Sequence, residues 1–165
     1  MNQAAIIELD ASRKGSEKVI EEIVRLEKRI FPKHESLART FHEELRRKNS
    51  GLLYAIVEDG EGKVKGEAEI IGYVMYSWVT SLCASITKLA VKENYRRQGH
   101  GEALLKATIE KCKKRNIHRV SLHVDPERTV AVSLYQKNGF QVDATIKGYY
   151  SSDRDAYRMY LDFDP

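Results

Sequence analysis

Apolar residues in the first third of the chain recur at the spacing of a helix. Between Ser16, interpreted as an N-cap, and Ile30, they return every three or four positions, and Glu27 is the only break in that stripe. The pair Phe31 and Pro32 follows at once, and a proline there cannot continue a helix. The pattern predicts an amphipathic helix that ends at this pair.

The rest of the chain alternates between strand-like and helix-like spacing. Charged residues at 63–69 follow a glycine turn at 59–62 and predict an exposed extension. No internal repeat or boundary is visible, so residues 1–165 are predicted to form one domain. The other predicted elements are strands at residues 4–9, 52–57, 70–79, 84–91, 119–124, 140–146 and 156–163, and helices built on Leu37, Phe41 and Leu45, on residues 101–112 and on residues 130–137.

Composition narrows the class of protein. Of the 165 residues, 42% are hydrophobic and 32% are charged, which is typical of a globular chain, and no apolar run is long enough to span a membrane. The first residues do not resemble a signal peptide. Cys83 and Cys112 are too few for a disulfide framework, so we expect core thiols and a reducing compartment, the cytoplasm or also the nucleus.

The net charge of +4 could help to gather an anionic cofactor or substrate. The basic residues are dispersed and lack interleaved aromatics, so we expect neither nucleic acid nor a membrane as a partner. The cysteines also lack metal-ligand spacing, and we expect no metal.

A glycine-containing segment between a strand and a helix suggests an anion site. The strand ends near Val91, and a helix begins around Gly101. Unpaired N–H groups at a helix start attract anions, and glycine lets the main chain approach a diphosphate closely. We call residues 96–101 the glycine loop; they are Arg96, Arg97, Gln98, Gly99, His100 and Gly101.

The glycine loop, with Leu89 to Val91 and Tyr95 before it, resembles the acetyl-CoA pyrophosphate loop of the GNAT superfamily of acetyltransferases. About 30 residues later, residues 131–140 resemble that family's second motif, an alanine, a tyrosine and then Gly-Phe. The resemblance implies an α/β GNAT fold, a mixed, twisted central sheet of about seven strands flanked by about four helices and splayed to admit acetyl-CoA. It also implies an acyltransferase that uses acetyl-CoA as co-substrate.

A narrower resemblance is to the catalytic subunits of protein N-terminal acetyltransferases, through residues 84–91 and 120–124, the pair Tyr149 and Tyr150, and residues 155–157. It implies that residues 89–91 face the pantetheine arm, that the glycine loop holds the pyrophosphate, and that Tyr135 lies near the sulfur. The cofactor-binding residues so implied are Leu89, Ala90, Val91, Arg96, Arg97, Gln98, Gly99, His100, Gly101, Arg128 and Tyr135.

Acetyl transfer needs a base for the amine and an acid for the departing thiolate. His123 is the best candidate base, because it alternates with the apolar residues of its strand and its ordinary pKa is about 6.5. By resemblance, Tyr135 is the candidate acid, with a role in orienting the thiol as the alternative. A strand histidine and a helix tyrosine are also common structural residues, so the pattern alone leaves open that both have a purely structural role.

The acceptor residues come from the resemblance alone. Phe31, Pro32, Ser85, Tyr149 and Tyr150 are the implied substrate-binding residues. Ser85 departs from the family, which places a Tyr or His there to order a relay water.

Two further residues depart from the family's pattern. Asp125 stands where relatives are often basic or amidic, and we expect a solvated acid at a strand end or a site for a cationic N-terminus. Arg128 replaces a frequent Asn and is expected to contact phosphate or to cap the next helix.

The sequence predicts acetylation of a primary amine, most simply the α-amine of a protein or peptide. An α-amine of pKa about 7.7 to 8.0 costs roughly 1 kcal/mol to neutralise at pH 7, and a lysine of pKa about 10.4 costs roughly 4 to 5 kcal/mol. Two alternatives stay open: a lysine or small-amine acetyltransferase, and a silent domain that binds acetyl-CoA or acts as a scaffold. The need for an auxiliary subunit is also open.

Overall fold

A computed structural model of the protein describes residues 4–31, 41–58 and 68–163. These ranges contain seven strands and four α-helices in the predicted order, with a short 3-10 turn at Glu93–Tyr95. The strands are β1 (Ala5–Glu8), β2 (Ser50–Glu58), β3 (Ala68–Thr80), β4 (Cys83–Val91), β5 (Arg119–Val124), β6 (Gln141–Ser151) and β7 (Arg154–Asp162). The helices are α1 (Ser16–Ile30), α2 (Phe41–Arg46), α3 (His100–Lys114) and α4 (Thr129–Lys137).

The strands are hydrogen-bonded in the order β1-β2-β3-β4-β5-β7-β6, and the sheet is mixed as predicted. β1 and β2 are antiparallel, as are the pairs β5·β7 and β6·β7, whereas β4 and β5 are parallel. The parallel register covers three residue pairs, from Ala84↔Val120 to Ile86↔Leu122, although β4 continues to Val91. The antiparallel register of β5 with β7 covers all six residues of β5.

The chain groups into two compact units. Unit 1 contains the residues up to Met75 together with Lys88–Thr108, and unit 2 contains Tyr76–Thr87 and the residues from Ile109 onward. β3, β4 and α3 each run through both units. The single domain over residues 1–165 stays a prediction.

Unit 1 is built around the apolar face of α1. The centre of its stripe is buried and the flanking apolar residues are half-buried, and the helix ends at Ile30 with Phe31 as C-cap. Burying each large aliphatic side chain contributes about 1.5–3 kcal/mol. The core cluster consists of Ile20, Ile23, Leu26, Phe41, Leu52, Ile70, Tyr73, Met75 and Ala90.

Glu27, which breaks the apolar stripe of α1, is fully buried in unit 1. The Tyr73 hydroxyl donates a 2.6 Å hydrogen bond to its carboxylate. Burial and the negative charge of Glu27 together raise the pKa of Tyr73. The tyrosine therefore stays a hydrogen-bond donor and compensates a carboxylate that would be costly to bury alone.

The ends of the helices correct one prediction and confirm another. Ser16 is the first residue of α1 and not its N-cap, because Gly15 takes that position with a left-handed φ of 93°. The Ser16 hydroxyl instead donates to the Ala11 carbonyl. Gly139 follows α4 with a φ of 95°, as predicted.

The four α-helices contain 15, 6, 15 and 9 residues. In the described ranges, none of them combines the length and the apolar character that crossing a membrane requires. Leu37, expected to start the second helix, lies outside the described residues, and so do the turn at residues 59–62 and residues 63–67.

Cys112 on α3 is fully buried, and Cys83 is half-buried, as expected of core thiols. Burial raises the pKa of the Cys112 thiol to about 11. The thiol therefore stays protonated at neutral pH and is a poor nucleophile.

Candidate active site

In unit 1, the glycine loop has the backbone conformation of an anion site. Arg97 and Gly99 have left-handed φ angles of 63° and 84°, and α3 begins at His100. The first turn of a helix leaves main-chain N–H groups unpaired, and these groups bind anions. The loop therefore fits a diphosphate through its main chain.

Two long side chains of the loop bond to residues that precede it. The Arg96 Nε donates to the Val91 carbonyl at 3.0 Å, and the Gln98 side-chain amide donates to the Asn94 carbonyl at 3.4 Å. Both contacts fasten the loop to the preceding turn. The Val91 carbonyl, one of the groups expected to face the pantetheine arm, already accepts this bond.

A buried carboxylate binds two residues that come directly before the loop. Glu69 on β3 is only 6% exposed and accepts hydrogen bonds from Lys92 Nζ at 3.0 Å and from the Tyr95 hydroxyl at 3.2 Å. The Tyr95 ring in turn contacts the ring of His100, with 6.3 Å between centroids. The expectation of an exposed segment at residues 63–69 was therefore wrong for Glu69, because two donors compensate its charge inside the fold.

His100 lies inside the fold at the start of α3 and is 7% exposed. Its Nε2 is buried and has no hydrogen-bond partner within the described part of the chain. Burial lowers the pKa of His100, so the ring is neutral at pH 7. It therefore contributes packing and not a positive charge to the loop.

In unit 2, His123 lies on the exposed face of β5. Val120, Leu122 and Val124 are buried on the opposite face, as the alternation predicted. The His123 ring stacks on the ring of Tyr149, with 4.5 Å between centroids and 9° between planes. The histidine is thus held by an aromatic plane on one side and remains accessible to solvent.

Burial and charged neighbours shift the pKa of His123. Partial burial lowers its pKa, and the positive charge of Arg158 lowers it further, whereas the negative charge of Asp143 raises it. Arg158 lies directly opposite His123 on β7, and its Nε donates to Asp143 at 2.9 Å. The net effect is an imidazole that is largely neutral at pH 7 and can accept a proton.

Tyr135 on α4 is buried, and its ring packs edge-on against Phe140 with 5.8 Å between centroids. Burial raises the pKa of Tyr135 to about 12, against the opposing charge of Arg128. The hydroxyl therefore stays protonated and can donate a hydrogen bond. Arg128 occupies the N-cap position of α4, one of its two expected alternatives, although its side chain makes no capping hydrogen bond.

Ser85 lies beside Ser121 on the adjacent strand. Their hydroxyl oxygens are 3.5 Å apart, and the sulfur of Cys83 is 3.6 Å from the Ser121 hydroxyl. Ser121 precedes His123 by two residues and shares its face of β5. The serine that departs from the resembled family therefore belongs to a small polar group beside the histidine's strand.

Tyr149 and Tyr150 lie in an irregular part of β6. Between the pairs Ile146↔Ala156 and Ser151↔Arg154, residues 147–150 of β6 lie opposite residue 155 alone of β7. Gly148 has a φ of 67°, and its N–H donates to Asp155. The extra residues bulge out of the ladder and present the tyrosine pair.

The environment of Asp125 differs from the one expected from the sequence. It is 8% exposed, and its Oδ2 accepts bonds from Arg154 Nη2 at 3.0 Å and Nε at 3.3 Å. It is neither a solvated acid nor a free anion for a cationic N-terminus. Arg154, which the sequence analysis missed, also lies over the Tyr150 ring at 5.0 Å. The unusual acid at position 125 was the one indication of a basic partner.

Phe31, in unit 1, contacts Lys88 of β4, whose Nζ lies 3.6 Å from the ring centroid. Pro32 lies outside the described residues. No group of three or more His, Cys, Asp or Glu in the described ranges is placed to hold a metal ion.

Comparisons with known proteins bear on the family and the fold. Residues 19–140 match the family described as Acetyltransferase (GNAT) family. An N-alpha-acetyltransferase of Saccharolobus solfataricus is 28% identical over 152 residues, which cover 85% of each chain.

Two solved structures share the fold at identities below 25%. The ribosomal-protein-S18-alanine N-acetyltransferase of Escherichia coli has a TM-score of 0.78 at 23% identity and covers 99% of this chain and 96% of its own. Arabidopsis thaliana NAA60 in complex with acetyl-CoA has a TM-score of 0.81 at 18% identity and covers 99% and 100%.

Proposed function

This chain belongs to the GNAT acetyltransferase family, and from that premise we propose that its acceptor is the α-amine of a protein or peptide N-terminus. Membership of the family gives the general activity: the protein is an N-acetyltransferase, and acetyl-CoA is its co-substrate. The proposal concerns the acceptor and the residues that act on it.

For the donor, we assign residues 89–91, the glycine loop and Arg128 to cofactor binding. The main-chain N–H groups of the loop bind the diphosphate, and the left-handed Arg97 and Gly99 set their direction. The Arg128 charge adds attraction from the start of α4. When bound, acetyl-CoA supplies an activated acetyl thioester, and the chain's own groups handle the protons.

His123 is the proposed base. It takes the proton that the amine loses on attack, directly or through one water molecule, and its lowered pKa keeps it neutral near pH 7. The same lowered pKa makes it a weak base towards a lysine, which needs roughly 4 to 5 kcal/mol to lose its proton at pH 7. An α-amine needs only about 1 kcal/mol and suits this histidine.

Tyr135 is the proposed partner of the sulfur, as a hydrogen-bond donor. Its pKa of about 12 exceeds that of an ordinary thiol, about 8.5, by about 3.5 units. Complete proton transfer to the thiolate would therefore cost about 5 kcal/mol. A hydrogen bond to the developing charge avoids that cost, and the thiolate then takes its proton from solvent or from the protonated histidine.

Phe31, Pro32, Ser85 and the tyrosine pair are proposed to contact the acceptor peptide. Tyr149 shields one face of His123, and aromatic rings bury the start of a peptide without requiring a charge. The single observation that carries the proposal is the neutral, accessible His123 stacked on Tyr149.

The test is turnover of acetyl-CoA on a panel of peptides that vary in their first two residues. Each peptide is paired with a copy whose α-amine is blocked and which contains a lysine. We expect turnover on free N-termini only. Equal turnover on blocked and free peptides would show that the acceptor is a side-chain amine, and no turnover on any peptide would show that the acceptor is not a peptide.

A further inference from the structure

A closed chain of side-chain contacts links the end of β5 to its own histidine. Asp125 binds Arg154, Arg154 lies over Tyr150, and Tyr150 meets Tyr149 edge-on with 4.9 Å between centroids. Tyr149 then stacks on His123, two residues before Asp125. All five residues lie in unit 2.

Asp125 and Arg154, the ion pair of this series of contacts, are fixed in place by different kinds of contact. Asp125 is held by β5 and by the Glu127 N–H, which donates to its Oδ1 at 2.9 Å. Arg154 is the first residue of β7 and is paired with Ser151 across the turn. Residues 147–150 of β6 come just before this turn. They have only residue 155 of β7 opposite them and so have little ladder support of their own.

A bulge of this kind needs side-chain contacts to take one conformation. Asp155 ties its start, through Lys147 and the Gly148 N–H, at 3.2 and 3.0 Å. The Asp125–Arg154 pair ties its end. Asp125 is only 8% exposed, whereas the Arg154 side chain is 36% exposed, so the loss of Arg154 would leave a nearly buried carboxylate without its ion-pair partner.

We propose that Asp125 and Arg154 are positioning residues for the reaction: they clamp the bulge of β6 so that Tyr149 stays on His123. The inference rests on the proposed role of His123. Neither residue touches the reacting atoms. Their effect passes through Tyr150 and Tyr149, and it fixes the ring orientation of the base at the moment the amine attacks.

The chain also contains a matched control. Arg119 on β5 binds Asp162 on β7 through two nitrogens and lies over the Tyr160 ring at 4.3 Å. This is the same combination of guanidinium, carboxylate and tyrosine, here with the arginine on β5 and with both Asp162 and Tyr160 on β7. It contacts neither Tyr149 nor His123 in the described structure, so its loss should not move them.

The experiment compares Arg154→Met and Asp125→Asn with Arg119→Met, using two readouts. The first is the proton NMR shift of the His123 ring, which the stacked Tyr149 displaces by its ring current. It is assigned among the five histidines by its disappearance in His123→Gln. The second is kcat on an N-terminal peptide, with CoA affinity and thermal midpoint measured alongside.

We expect the His123 signal of both clamp variants to move towards that of an unstacked histidine, and kcat to fall about tenfold, since small misplacement of a reacting group is costly. CoA affinity should be unchanged, and Arg119→Met should leave both readouts as in the wild type. If Arg154→Met does not fold, Arg154→Lys serves instead, because it keeps the charge and loses the guanidinium that lies over the Tyr150 ring.

An unmoved His123 signal in the clamp variants would overturn the inference, and so would a moved signal with unchanged kcat. A wild type that acetylates no peptide would overturn the proposed function, and the NMR arm would still report whether the clamp holds the ring. The two failures are therefore distinguishable.

Discussion

The glycine loop of unit 1 and the histidine site of unit 2 use different chemical groups, main-chain groups in the first and side chains in the second. The loop offers main-chain N–H groups, and its long side chains Arg96 and Gln98 bond back to the loop's own surroundings. The histidine site consists of side chains from β5, β6 and β7 that touch one another. The first site depends on backbone torsion angles, and the second depends on particular functional groups.

This difference predicts different responses to substitution. In the loop, a change matters when it alters a left-handed residue. In the histidine site, a change matters when it removes a functional group or the contact that orients it. Substitutions in the glycine loop should change cofactor affinity, and substitutions in the histidine site should change turnover. Each prediction below tests this difference.

The largest effect is expected for His123→Gln. Loss of a positioned base typically costs about 10² to 10⁴-fold in rate, so kcat/KM on an N-terminal peptide should fall by that amount at pH 7. Calorimetric affinity for CoA should not change. A variant with near wild-type turnover would show that the amine loses its proton elsewhere.

Gly99→Ala tests the loop, with Gly15→Ala as its control. Both glycines have left-handed φ angles, 84° and 93°, and both have open space where a Cβ would be placed. An L-residue disfavours this conformation by about 1–2 kcal/mol, so CoA affinity should fall about 5- to 30-fold in Gly99→Ala. Gly15→Ala carries the same backbone cost and should bind CoA normally. Equal CoA affinity in the two variants would contradict the placement of the cofactor.

Tyr135→Phe removes one hydroxyl from unit 2. A hydrogen bond to a charged group contributes about 1.5–3 kcal/mol, so kcat should fall about 10- to 100-fold at saturating acetyl-CoA. The pH dependence should keep its shape between pH 6 and 9, because the pKa of Tyr135 is about 12 and the group does not titrate there. A new limb in that range, lost in the Phe variant, would show that Tyr135 donates a proton as a true acid.

The smallest effects concern the charges around His123, followed by NMR titration of its ring. Arg158 lowers the pKa of His123 and Asp143 raises it. Arg158→Met should therefore raise this pKa, and Asp143→Asn should lower it. Shifts of the same sign in both variants would show that the local charges do not control the base.

The sequence predicted the secondary-structure elements and the glycine loop better than the contacts between side chains, for a physical reason. Residues 119–124 and the order of elements follow from local periodicity, and all six residues of β5 were predicted. The glycine loop is contiguous, so its chemistry is visible in a short stretch of chain. Contacts across strands leave no such local pattern.

Glu27, Glu69 and Asp125 illustrate what was missed. Each is a carboxylate that local pattern would place in solvent or treat as an interruption, and each is buried with a partner distant in sequence, Tyr73, Lys92 and Arg154 respectively. Burial of a charged group depends on a tertiary partner, which a one-dimensional pattern does not contain. Only the unusual acid at position 125 hinted at its partner.

The central claim, that the acceptor is an α-amine, is tested most directly by one competition. A peptide with a free N-terminus and one internal lysine is acetylated to low conversion at pH 7, and tandem mass spectrometry locates the acetyl group. The difference in pKa gives the α-amine about a 300-fold larger neutral fraction. We predict acetylation at the α-amine alone, and acetyl-lysine at comparable or greater yield would contradict the account.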